Sequence, residues 1–80
     1  MQRFFHFTIT SDAKRQVPKM ILERLADEYL WQEQEASNGP MSVKSRAARI
    51  KELIEKEVNR RSAQEEFNKI LNEKRTNLAS

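Results

Sequence analysis

Two groups of residues carry side chains that could do chemistry. The first is His6, Thr8 and Thr10, which alternate along the stretch Arg3-Phe4-Phe5-His6-Phe7-Thr8-Ile9-Thr10. In an extended backbone alternate residues share a face, so the imidazole and the two hydroxyls would project together. Such groups suit base-edge reading: a hydroxyl donates or accepts a hydrogen bond, and the Thr methyl meets the methyl of thymine. The second group is Ser42-Val43-Lys44-Ser45-Arg46. Free backbone N–H groups, hydroxyls and two cations at a helix start form a site for a phosphate oxygen. Phosphate contacts set register and base contacts set specificity, and the two groups divide those tasks.

Other chemistries find less support. The chain has no cysteine and one histidine, which removes disulfides, thiolate metal sites and cysteine nucleophiles. His6 has no second ligand at metal-binding spacing, so no metal is expected. Asp27, Glu28 and Glu33 form a set of acidic side chains. Without a nucleophile, a Gly-rich loop or a metal cluster they imply no reaction, and neither enzymatic activity nor a cofactor is expected.

The elements that must position these groups follow from periodicity. Residues 3–10 are aromatic and β-branched, with Phe5, Phe7 and Ile9 opposite the polar face, which predicts a half-buried strand. Ile21, Leu22, Leu25, Ala26 and Tyr29 fall on one helical stripe, so a helix is predicted over about residues 17–35, after an irregular or one-turn stretch from Asp12. Asn38-Gly39-Pro40 ends it. A second helix is predicted from an N-cap at Ser42 or Ser45, with Ala47, Ile50, Ile54 and Val58 as its stripe and Leu53 at the edge. That stripe fails at Arg60-Arg61. Ser62-Ala63-Gln64-Glu65 matches a capping box, and Phe67, Ile70 and Leu71 start a new stripe, predicting a third helix over residues 63–75. Met20 and Trp31 fall off the first stripe, which leaves them partly exposed or free to meet a partner or the third helix.

The formal charge is only +3, but it is segregated. Residues 1–19 hold four Lys or Arg and one acid, residues 20–40 one Arg and five acids, and residues 41–61 seven Lys or Arg and three acids. Two basic blocks flanking an acidic one form the electrostatic footprint of a nucleic-acid binder, while an anionic membrane surface or an acidic partner fits the charge equally well. No apolar run approaches the length of a membrane span, and nothing at the start reads as a signal peptide, so a cytoplasmic protein is expected.

A lone strand has no partner for its own N–H and C=O groups. The simplest remedy is the same strand from a second copy, paired antiparallel about a two-fold axis. Phe5, Phe7, Ile9, Leu25, Ile50 and Ile54 would then form the dimer core.

Strand, helix, turn and a second helix opening on a Ser-rich basic turn resemble the ribbon-helix-helix family. The stretch Phe7-Thr8-Ile9-Thr10 is similar to its strand and Ser42-Val43-Lys44-Ser45-Arg46-Ala47-Ala48-Arg49 to its second-helix start. Within that family, residues 7–13 (FTITSDA) and 66–71 (EFNKIL) resemble the DNA-binding region of TraM-type relaxosome proteins of conjugative plasmids. The resemblance implies a mainly α homodimer with one intermolecular two-stranded antiparallel sheet: a ribbon-helix-helix domain over residues 1–60 with a C-terminal helical extension over residues 61–80. It implies sequence-specific binding of double-stranded DNA as a repressor or relaxosome accessory factor, with more than one dimer on adjacent sites. Bases would be contacted by His6, Thr8 and Thr10, and phosphates by Ser42, Val43, Lys44, Ser45 and Arg46. Two alternatives stand beside it: a toxin-neutralising regulator whose residues 63–75 bind a protein partner, and a helical interaction module without DNA binding, in which Lys44, Arg46 and Arg49 are a solvated helix face.

Overall fold

Helix propensity and apolar periodicity organise nearly all of the chain. The computed structural model describes residues 6–79. After an extended lead, the elements are α1 (Thr10–Gln16), a 3-10 turn (Val17–Lys19), α2 (Leu22–Asn38), α3 (Met41–Arg60) and α4 (Gln64–Ala79). Among the described residues there is no strand and no sheet. The ribbon-helix-helix fold expected above is therefore corrected: the chain is a four-helix structure. Of the expected strand, residues 3–5, with Phe5 of the expected dimer core, lie outside the described residues; residues 6–9 pair with no strand, and Thr10 opens a helix.

The physical reason is intramolecular. Backbone groups that seemed to require a second copy find partners in the same chain. The Phe7 N–H donates to Glu28 Oε2 at 2.9 Å, and the Gln32 amide donates to the Phe7 carbonyl at 2.7 Å. The expected alternation also fails at Ile9, which is 55% exposed, while Phe7 packs against the core. Leu25, Ile50 and Ile54, assigned to a dimer core, are each fully buried within one chain.

That core joins Ala13 of α1, Val17, Leu25, Ala26 and Leu30 of α2, Ile50, Ile54 and Val58 of α3, and Phe67 and Leu71 of α4. The residues expected to form a C-terminal extension thus share the core of the rest. The helix predicted over 17–35 is divided: Val17–Lys19 is a 3-10 turn with Pro18 in its first positions, Met20 is extended, and α2 runs on to Asn38. Pro18 lacks an N–H and is well placed at such a start.

The two turns between long helices rest on different constraints. Between α2 and α3, Gly39 has extended backbone (φ −96°, ψ 170°) and so needs no left-handed conformation. It is glycine because a Cβ there would sit 2.7 Å from Val43 Cγ1 and 2.9 Å from the Glu35 carbonyl oxygen. Pro40 is the N-cap of α3, in place of the expected Ser42 or Ser45, and its carbonyl accepts the Val43 and Lys44 N–H groups at 3.0 Å each. Between α3 and α4, Ser62 adopts φ 55°. Its N–H donates to the Asn59 carbonyl at 3.0 Å, and the Ala63 N–H donates to the Val58 carbonyl at 3.1 Å. This is a Schellman closure of α3 built on serine, so Ser62 ends a helix where a capping box would have it begin one.

Two substitutions check these turns by chemical denaturation. Gly39→Ala is expected to destabilise the chain by about 1–2 kcal/mol through overpacking against Val43. Ser62→Gly is expected to stabilise it by about 0.5–1 kcal/mol, because glycine adopts the left-handed region without a Cβ penalty.

Candidate nucleic-acid interface

The N-terminal lead is positioned by a polar cluster on α2. Glu28 and Gln32 are fully buried, one helical turn apart. A carboxylate without solvent needs donors, and Glu28 has three. Phe7 N–H reaches Oε2 as above, the Gln32 amide reaches the same oxygen at 2.7 Å, and His6 Nδ1 lies 2.9 Å from Oε1. The His6 ring also stacks on Trp31, centroids 4.5 Å apart and planes 5° from parallel. Trp31, off the apolar stripe, thus gains its role from a ring contact, and Met20 packs against the core.

This geometry separates the expected base-reading group. His6 is turned onto α2, Thr8 is exposed, and Thr10 is the half-buried first residue of α1. No single outward face holds all three. Of the expected phosphate group, Ser42, Lys44 and Ser45 stand exposed in the opening turns of α3. Val43 is half-buried, and Arg46 turns toward α2, with Nη2 4.0 Å from Glu35 Oε1.

Ion pairing sorts the remaining charge. The acids of α2 are largely engaged: Asp27 with Lys74 at 2.8 Å, Glu33 with Arg75 at 3.0 Å, and Glu35 with Arg46. On α3, Glu57 is 6% exposed and clamped between Arg60 and Arg61, each at 2.6 Å. The Arg60 hydrogen bonds, helped by Arg61, outweigh burial and hold the Glu57 carboxyl down at about 2. Arg61 in turn donates to the Pro18 carbonyl at 3.1 Å and to that of Val17 at 3.4 Å. One arginine therefore ties the end of the first basic block to the end of the second, and α1 and the 3-10 turn pack on α3.

That leaves Lys14, Lys19, Lys44 and Arg49, together with Lys69 on α4, exposed and without an ion pair among the described residues. Along α3, Ser42, Ser45, Arg49, Glu52, Lys56 and Arg60 are all exposed and recur at helical spacing, forming one stripe in which Glu52 pairs with Lys56 at 3.2 Å. The opposite flank of α3 is taken by Tyr29 of α2, whose hydroxyl donates to Glu55 at 2.8 Å and whose ring lies 5.2 Å from Lys51 Nζ. Burial, reinforced by Glu55, pushes the Tyr29 hydroxyl up to about 12.

Among the described residues no group of three His, Asp or Glu side chains could hold a metal. No described helix is long and apolar enough to cross a membrane. The buried polar residues escaped the sequence reading, although the signal was present. Glu28 and Gln32 follow Leu25 at steps of three and four, on the core face of α2, and Glu57 sits among Ile50, Ile54 and Val58. No known protein family matches the chain, and neither does any curated protein or any solved structure.

Removing the Glu28 carboxylate strands the Phe7 N–H and the Gln32 amide. Glu28→Ala is expected to cost about 2–3 kcal/mol and to speed amide hydrogen exchange at Phe7. Glu57 gives an acid-limb signature. Its folded value is about 2 against an ordinary 4.5, so its contribution is complete above about 4.5 and is lost as the pH falls toward 2. In acid titrations of stability, Glu57→Gln should flatten the limb between those two values.

Proposed function

We propose that the chain binds double-stranded DNA through the basic surface of α1, the 3-10 turn and α3. The observation that carries this reading is the Arg61 tie to Val17 and Pro18, which joins two basic blocks of sequence on one helix pair. Of the acids between those blocks, Asp27 and Glu33 pair with Lys74 and Arg75 of α4, and Glu35 lies 4.0 Å from Arg46. Unbalanced positive charge on a rigid helix pair draws in a polyanion, and phosphate neutralisation supplies most of the affinity.

In this reading a helix replaces the ribbon. The major groove of B-DNA admits an α-helix, and the exposed stripe of α3 has the chemistry to enter it. Ser42 and Ser45 hydrogen-bond phosphate oxygens, Lys14, Lys19 and Lys44 neutralise flanking phosphates, and Arg49 at the middle of the stripe reads a guanine edge. Repression and conjugative relaxosome assembly, the roles attached to the family resemblance, both presuppose DNA binding and are proposals that follow from it. A homodimer, further copies on adjacent sites and a cytoplasmic location stand in the same position.

Fluorescence anisotropy on a labelled duplex across a salt series tests the assignment. Arg49→Glu and Lys14→Glu are each expected to weaken binding about tenfold, and Arg49→Gln to lower the salt slope by about 1. Glu65→Gln, on α4, should bind as the parent does. Duplex affinity unchanged in both charge reversals would overturn the reading.

A further inference from the structure

The start of α2 and the outer flank of α4 enclose an apolar groove of about 690 Å³ that the DNA reading does not use. Ile21, 65% exposed, stands at one wall, with Leu22 beside it, and Ala63, just before α4, and Ile70 of α4 also line the groove. Leu22, Ala63 and Ile70 are half-buried, so Ile21 stands exposed beside a continuous apolar floor. The cause is visible in α4. Phe67 and Leu71 are buried in the core, while Ala63 and Ile70 pack against it only in part and keep one side toward the groove.

The rim has a sign. Glu23, Glu66 and Glu73 line it, all exposed and none in an ion pair among the described residues. Two cations also line it. Lys69 is one, and Arg61 is already committed to Glu57 and the carbonyls of Val17 and Pro18. From Ala63 into α4, Glu66, Ile70 and Glu73 follow at steps of three and four, so apolar and acidic side chains share one flank, with Lys69 beside them.

We propose that this groove docks an amphipathic helix of a partner protein whose apolar ridge is bordered by Lys and Arg. An apolar ridge at positions i, i+3 or i+4, and i+7 matches the Ile21–Ile70 trough, and the flanking cations meet Glu23, Glu66 and Glu73. The exposed basic stripe of the chain itself presents Ser, Lys and Arg without an apolar ridge, so a second copy does not supply this chemistry. None of the side chains assigned to DNA lines the groove, although Arg61, which anchors the basic surface, does.

Panning a displayed library of helical peptides on the full chain, with counter-selection on Ile70→Glu, tests the proposal. The selected peptides should carry an apolar ridge flanked by Lys and Arg. The best of them should lose about tenfold or more in affinity on Ile21→Glu, a substitution at an exposed site, and on the double variant Glu23→Lys/Glu66→Lys. Circular dichroism confirms that each variant is folded, and a saturating DNA duplex should leave peptide affinity unchanged. Peptides with neutral or acidic flanks, or affinity indifferent to Ile21→Glu, would overturn the proposal. So would self-association of the chain that Ile21→Glu disperses, because the occupant would then be a second copy.

Discussion

The arrangement of this chain depends on a carboxylate with no solvent. Glu28 is buried on the core face of α2, and its burial is tolerable only because His6, Phe7 and Gln32 bring donors to it. The requirement runs both ways. The lead into α1 has backbone groups that no helix satisfies, and Glu28 and Gln32 satisfy those of Phe7. Each side supplies what the other lacks, so the lead is fixed along α2 and α1 begins where that contact ends.

A second buried carboxylate repeats the logic at the far end of the same segment. Glu57 holds Arg61 in place, and Arg61 holds the 3-10 turn by its carbonyls. Between Glu28 and Glu57, the stretch from His6 to Lys19 is secured at both ends to helices distant in sequence. The basic surface exists because of these anchors. Lys14 and Lys19 would otherwise have no fixed relation to Arg49. Buried polar pairs of this kind add little to net stability, since desolvation offsets much of their attraction, but they determine which surfaces face each other.

Charge pairing then divides the molecule. Asp27 and Glu33 of α2 meet Lys74 and Arg75 of α4, Glu35 meets Arg46 of α3, and on α3 itself Glu52 meets Lys56. Individually these surface pairs contribute little to stability. Their consequence is spatial: among the described residues, Lys14, Lys19, Lys44 and Arg49 are left unpaired on α1, the 3-10 turn and α3, while Glu23, Glu66 and Glu73 are left unpaired along the groove beside Ile21, with Lys69 among them.

The α2, α3 and α4 stripes, the breaks at Gly39-Pro40 and Arg60-Arg61, and the core positions Leu25, Ile50, Ile54 and Phe67 were all legible in the sequence. Helical periodicity and turn residues are local properties, and they depend on steric and hydrogen-bonding preferences that act within a few residues. The state of residues 6–10 was not legible. Alternation over so few residues fits a strand and also a lead whose alternate side chains dock on a helix, and what separates the two is a partner twenty-odd positions away in α2. Gly39 read correctly as a stop, but its reason, the approach of Val43, required two helices in place. Sequence by itself determined where helices form and which faces are apolar. Tertiary structure decided that Glu28 and Gln32 receive the N-terminal backbone and that the two basic blocks become one surface, because buried polar groups take their partners by proximity in space, and no local pattern records that.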